Sequence, residues 1–445
     1  MKTSLSFKHY LYLGIMLFGM LFGAGNLIFP IHMGQLSGAH FQLATLGFLV
    51  SAIGLPFLAF IALGVSKSPD ILTLAHKVNR PFAFGFTLLL YLVLGPLFAL
   101  PRLATTSFTI GIAPFVTTTQ QGLGLGVYTL LFFLLAFLLA LNPHKLMDYI
   151  GKYLTPAFLA VLGILLTLVV IKPMGNVALI TPTAPYDSHP FVQGFLDGYQ
   201  TLDVLAASAF GIVVIQTLND LNVTEPKAIT FSLIKAGSIS MLVMALIYWL
   251  IALAGANSMG TLALSENGGI ALAQIAHHYL GTSGNLLLAL IVILGCLKTT
   301  IGLLTACAEA FAQLFPRLSY RIALIGVSLA AGFIAMSGLT AIIDWAVPVL
   351  MFLYPLAIPL VILAVIHPLF EDHRLVYQYT IGFSLIPALL DAVVTIPSQA
   401  PAIVTIKTLA LTIQQWLPFG AIGMGWLIPA LVGFCIGYLL YRRNK

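Results

Sequence analysis

Charge is what this chain of 445 residues has least of. Asp, Glu, Lys and Arg together make up 7% of it, against about 25% in a soluble domain. The three cysteines, Cys296, Cys307 and Cys435, all fall in apolar stretches and have no metal-ligand or disulfide spacing. No G-x-x-x-x-G-K-[ST] phosphate loop, H-E-x-x-H zinc motif or G-x-S-x-G nucleophile elbow occurs. These absences argue against a soluble globular protein, a disordered chain, a disulfide scaffold and an ATP-driven pump. They also leave a membrane hydrolase or protease without its chemistry. No cofactor is implied, and any uphill work must draw on an ion gradient.

What the chain has instead is apolar surface. Hydrophobic residues make up 60%, and mean hydropathy is +1.06. No charged residue lies between Lys8 and Lys67, Arg102 and Lys145, Glu266 and Lys298, or Lys407 and Arg442. A spanning helix needs ~20 apolar residues, so several runs hold two helices joined by Gly, Pro or Asn turns. The runs are too continuous for the weak alternation of a lipid-facing β-barrel. The expected fold is therefore an all-α integral membrane domain filling residues 1–445, with lipid around it. Twelve helices are predicted, near 9–36, 41–65, 81–110, 124–142, 149–171, 191–218, 229–255, 284–312, 320–337, 342–366, 377–396 and 418–441. Residues 268–280 read as a short amphipathic surface helix. The N-terminal run resembles a signal peptide but continues apolar past Gly25, and it reads as the first span.

With the N-terminus in the cytoplasm, Lys172 and Lys407 fall outside and Arg102 and Lys298 fall within helices. The other fifteen Lys and Arg residues fall inside, from Lys2 to Lys445. The positive-inside rule then favours both termini in the cytoplasm. The basic pI of 9.1 is a topology signal and does not imply nucleic acid.

Three stretches place chemistry at membrane depth. The first is Gly23-Ala24-Gly25-Asn26-Leu27-Ile28-Phe29-Pro30, where two Gly and one Pro in eight residues predict either a broken helix lining a cavity or a kinked, tightly packed one. The second, in helix 6, runs from Gly194 through Asp197, Tyr199, Gln200, Thr201, Leu202 and Asp203 to Ala206 and Gly211. Helices 1 and 6 occupy corresponding positions in a five-plus-five repeat, which points to a transporter's binding site. Asp203 is either functional or one end of a helix–helix hydrogen bond, and Asp197 reads as interfacial. The third, in helix 8, holds Cys296, Lys298, Thr299, Thr300 and Glu309. Thr hydroxyls suit an alkali cation or bond back to their own helix, while a buried Lys298 ammonium must find an acid or carbonyls or lose its proton. Arg102, Asp344 and Asp391 are further polar residues within helices, either functional or serving as caps, interhelical pairs or interface contacts.

These segments resemble the bacterial branched-chain amino acid:cation symporters, within the amino acid–polyamine–organocation superfamily. The resemblance runs along nearly the whole chain and rests on LFGAGNLIFP at 21–30, GPLFALPR at 95–102, GFLDGYQTLD at 194–203 and ACAE at 306–309. It implies a LeuT-type fold: inverted repeats at 9–172 and 191–366, two added helices at 377–441, and helices 1 and 6 broken at mid-membrane. It implies uptake of leucine, isoleucine and valine with Na⁺ or H⁺, by alternating access, across the bacterial cytoplasmic (inner) membrane.

On that pattern the substrate carboxylate meets the N–H groups of Ala24 and Gly25, beside Asn26. The amine meets carbonyls near Met20 and Leu21 and near Tyr199, Gln200 and Thr201, with Asp203 following. Leu100, Leu202 and Ala206 contribute an apolar pocket. A cation site uses the carbonyls of Gly19, Phe22 and Cys296 with the hydroxyls of Thr299 and Thr300. Two departures stand out. Lys298 replaces the Thr or apolar residue usual in the family, and Thr109 stands where relatives often carry an acid. A fixed ammonium at Lys298 would occupy or repel the cation, which opens a Na⁺-independent alternative, H⁺-coupled or by exchange. A membrane enzyme or a channel is a remote third reading.

Overall fold

The computed structural model describes residues 5–444 apart from Pro69, Leu146 and Gln399. Lys2 and Lys445, counted above on the cytoplasmic side, lie outside the described residues. Among the described residues all regular structure is helical. The first half contains α1 (Phe7–Leu21), α2 (Ala24–Ser37), α3 (Phe41–Leu49), α4 (Leu55–Val65), α5 (Ile71–Ala75), α6 (Arg80–Leu92), α7 (Ala99–Gly111), α8 (Gln121–Ala140) and α9 (Thr155–Ile171). After a loop come α10 (Pro190–Tyr199), α11 (Asp203–Asp220), α12 (Pro226–Ser258), α13 (Gly268–Leu280), α14 (Thr282–Leu314), α15 (Tyr320–Ala335) and α16 (Leu339–Val365). The chain closes with α17 (Arg374–Val394), α18 (Pro401–Gln414) and α19 (Leu427–Asn444). Nine helical stretches among the described residues are long and apolar enough to cross a bilayer, and α1, α15 and α18 are shorter apolar helices. The protein is a multi-pass membrane protein.

The apolar runs fold as helices because lipid offers no partner to a free N–H or C=O. Interruptions are confined to positions that neighbours cover. Helix α1 stops at Leu21, Phe22 and Gly23 are extended, and α2 starts at Ala24. Helix α10 stops at Tyr199, and α11 starts after Leu202, which adopts a left-handed φ of 68°.

Three details differ from the sequence-based expectation. The helix expected at 81–110 breaks at Gly95, whose φ of −91° and ψ of −119° are not helical. Pro96 removes a backbone donor and disfavours α geometry in the residue before it. The stretch between the last two expected spans contains α18, with Pro401 at its start. The last helix begins at Leu427 rather than near 418, because 420–422 form a single 3₁₀ turn.

Glycines allow two pairs of helices to touch backbone to backbone. A Cβ on Gly255 of α12 would lie 1.9 Å from the carbonyl oxygen of Ile31 in α2, and one on Gly34 would lie 2.1 Å from that of Ala252. A Cβ on Gly194 of α10 would lie 1.9 Å from the carbonyl oxygen of Ala44 in α3, and one on Gly47 would lie 1.9 Å from that of Phe191. Close approach through small residues is how helices associate where lipid is as apolar as leucine.

Loops are tied together by polar contacts. Lys77 pairs with Asp372 at 2.7 Å, and His144 meets Asp220 at 2.7 Å. Ala39 N donates to Ile180 O at 2.9 Å, and the Tyr279 hydroxyl donates to Lys172 O at 2.6 Å.

Candidate functional site

The interruption between α1 and α2 faces the one between α10 and α11 across a small cavity of about 20 Å³. Its walls include Leu21, Gly23, Gly25 and Asn26 from the first break, and Thr201, Leu202, Asp203 and Ala206 from the second. Leu94, Ala99, Arg102 and Leu103 close one side, and Thr299 and Leu303 of α14 close another. Of the residues expected at a substrate site, Leu21, Gly25, Asn26, Thr201, Leu202, Asp203 and Ala206 thus converge.

The remaining expected residues fall elsewhere. Ala24 is the first residue of α2. Met20 packs against Gly302, where a Cβ would meet it at 2.9 Å. Leu100 is fully buried but not on the cavity wall, where Ala99 and Leu103 stand. Tyr199 stacks on Tyr354 with ring centres 4.2 Å apart, and its carbonyl accepts from the Tyr354 hydroxyl at 2.8 Å. Gln200 offers its carbonyl to Arg102.

Asp203 is fully enclosed and must be satisfied by protein groups. Asn26 Nδ2 donates to its two carboxylate oxygens at 2.9 and 2.8 Å, and the Tyr248 hydroxyl of α12 donates at 2.7 Å. Asn26 Nδ2 also contacts the Tyr248 oxygen. The Asn26 side-chain oxygen accepts from Gly23 N at 2.8 Å, so one side chain caps α2 and ties it to α11. Asp203 occupies the first turn of α11, where the helix dipole favours a negative charge. Asp203 thus bridges helices and also lines the cavity. Asp197 accepts from Gln193 at 3.1 Å and from Tyr186 in the loop before α10.

Lys298 lies on α14 with no exposed surface. Its Nζ donates to Gly19 O at 3.2 Å and to Phe22 O, two of the carbonyls expected to hold a cation. The rings of Phe158, Phe18 and Phe22 surround it, with centroids at 4.4, 5.3 and 5.5 Å. Desolvated cation–π contacts are each worth up to about 2 kcal/mol, and the C-terminal end of α1 adds the negative end of a helix dipole. Thr299 donates to the same Gly19 carbonyl at 3.1 Å. The Thr300 hydroxyl is buried without a partner, and Cys296 is buried two residues before Lys298.

Arg102 repeats this arrangement at the other break. It reaches from α7 to the end of α10, where its Nη1 donates to Gln200 O at 3.2 Å. Each interruption thus has a buried cation on the carbonyl end of its first half. Sequence reading left Arg102, Tyr248 and the Phe158 ring out of the site. A tyrosine well inside the 33-residue apolar α12 was the available signal for Tyr248. Asp391 accepts from Gln414 of α18, an interhelical contact.

A bundle of apolar helices with two interrupted segments facing each other at a small polar centre defines a membrane transporter. The solved structure of Mhp1, a nucleobase-cation-symport-1 family transporter, in a closed conformation with bromovinylhydantoin bound, shares the fold. The TM-score is 0.50 at 13% identity, over 98% of this chain and 93% of that one.

The branched-chain amino acid transport protein family model matches residues 6–444, and the chain belongs to that family. Similar relatives include the branched-chain amino acid permease BrnQ of Lactobacillus delbrueckii subsp. lactis, 42% identical over 98% of this chain and 97% of its own length. The BrnQ permease of Bacillus subtilis is 39% identical over 99% and 98%. The branched-chain amino acid transport system 2 carrier protein of Pseudomonas aeruginosa is 35% identical over 97% and 95%. The relatives are permeases and carriers, and this chain is a transport protein, not an enzyme.

Proposed function

We propose that the protein imports leucine, isoleucine and valine across the bacterial cytoplasmic membrane by alternating access, without Na⁺, with Lys298 supplying the positive charge at the cation site. The observation that carries this reading is the Lys298 ammonium on the Gly19 and Phe22 carbonyls, at the break beside the cavity. Transport is then H⁺-coupled or runs as exchange. The substrate carboxylate is received by the N–H groups opening α2, and the amine by the polar side around Asp203. Leu21, Leu103, Ala206 and Leu303 offer the apolar surface for an aliphatic side chain.

A cavity of about 20 Å³ holds about one water. An amino acid therefore enters only when the surrounding helices separate, as alternating access requires. The paired contacts support inverted repeats spanning α1–α9 and α10–α16. The first span touches the seventh at Gly255 as the sixth touches the second at Gly194. Exchanging the halves maps one contact onto the other, and it maps Lys298 of the eighth span onto Arg102 of the third.

The test is labelled isoleucine uptake into proteoliposomes under an inward Na⁺ gradient, an inward H⁺ gradient or neither. Accumulation driven by H⁺, or exchange without a gradient, is expected for the native protein, and Lys298→Thr is expected to make uptake Na⁺-dependent. Na⁺-driven accumulation by the native protein would refute the role of Lys298. No uptake by folded protein would remove the substrate assignment.

A further inference from the structure

The cavity carries one charge that the reading above leaves without work on the substrate. Arg102 follows the Gly95 interruption by two turns and is 8% exposed. Its guanidinium carbon stands 5.8 Å from the centre of the Phe29 ring. Its Nη2 would lie 3.3 Å from a Cβ placed on Gly25, at the opening of α2. Among the described residues no ion pair involves it. A guanidinium has five N–H donors in a rigid fork that matches a carboxylate. One carbonyl, from Gln200, and one ring leave that fork short of acceptors. Asp203 lines the same cavity and acts on Arg102 through space without reaching ion-pair distance, and a buried charge in a membrane that lacks a direct ion pair marks a substrate path.

The surroundings say which anion fits. Arg102 and the N-terminus of α2 form one positive corner of the cavity. Asp203 gives another wall a negative group, and Leu21, Leu94, Leu103 and Leu303 supply apolar surface. A small zwitterion with an aliphatic side chain matches all three features, whereas an amine without a carboxylate leaves the positive corner unpaired.

We propose that Arg102 is the fixed counter-charge for the substrate carboxylate, and that it makes the carrier select free α-carboxylates over amides, esters and amines of the same shape. The proposal rests on the amino-acid transport reading. Gly25 has a second role in it, because its missing side chain keeps the space between Arg102 and the α2 N–H groups open.

The experiment is equilibrium binding of labelled leucine to the purified full-length protein, with unlabelled leucine and leucinamide as competitors, for the native protein, Arg102→Gln and Arg102→Lys. The native protein is expected to prefer leucine to leucinamide by about 100-fold, and Arg102→Gln to lose about 100-fold in leucine affinity. The decisive number is the leucine-to-leucinamide ratio, which is expected to shrink at least tenfold in Arg102→Gln. A purely structural arginine would weaken both ligands alike, and an unchanged ratio would overturn the proposal. Arg102→Lys keeps the charge without the fork, so a weaker leucine affinity with the preference retained is expected. Should Arg102→Gln not fold, native-like leucine affinity in Arg102→Lys refutes the role of the fork. Failure of the native protein to bind leucine would instead strike the substrate assignment, and the two failures are thereby separated.

Discussion

Removing the hydroxyl of Tyr248 probes the polar centre with the least change in shape. Tyr248 is fully buried, and its hydroxyl donates to Asp203 at 2.7 Å. In Tyr248→Phe the ring stays against Phe22 and Phe48, with centroids at 5.5 and 5.1 Å. The packing is conserved while Asp203 loses one of its side-chain donors. A hydrogen bond to a charged group is worth about 1.5–3 kcal/mol, which is roughly a 10–150-fold change in an equilibrium constant. Asp203→Asn makes the complementary change on the other partner. Since the two groups touch, the double variant should not be additive. A cycle of Tyr248→Phe, Asp203→Asn and the pair, followed by thermal or denaturant unfolding in nanodiscs, should return a coupling of about 1.5–3 kcal/mol. Additivity within about 0.5 kcal/mol would mean that the hydroxyl and the carboxylate do not depend on each other, and the account of how this acid is held in the membrane would fail.

Gly255→Ala and Gly194→Ala each put a methyl 1.9 Å from a carbonyl oxygen, so each should cost about 1–3 kcal/mol by overpacking. Gly85→Ala, with nothing within 4 Å, should leave the melting temperature unchanged or raise it. Phe158→Leu removes the ring nearest the Lys298 ammonium, 4.4 Å away. A loss of about 2 kcal/mol is expected in addition to the change in packing, and the part due to charge should vanish when the same change is made in Lys298→Met. Equal losses in both backgrounds would show that the ring packs without serving the charge.

Much of the fold was legible because the bilayer imposes a simple rule. The charge-free runs had to be helices, and their lengths marked most of the stretches long enough to cross a bilayer. Gly23, Gly25 and Pro30 marked a weak point in the first span by themselves. Gly95-Pro96 carried the same kind of signal, yet a Pro inside a span is common enough that only the backbone angles distinguish a break from a kink. Helix α18 was illegible for a different reason. Its 14 residues are too short to span and hold Lys407 and several Thr, so neither length nor hydropathy separates it from a loop.

The sequence alone determined a helical membrane protein with an acid, a lysine and an arginine at membrane depth, because composition and spacing are local properties that lipid filters strongly. It could not say what those charges face. That Lys298 rests on the carbonyls of Gly19 and Phe22 and Arg102 on that of Gln200 depends on where helices 279 and 98 residues apart in the chain come together. The same holds for Asp203, which meets Asn26 across 177 residues and Tyr248 across 45. Such pairings are decided by tertiary packing, since a buried charge is stable only where the folded neighbours supply the partners that water would have given.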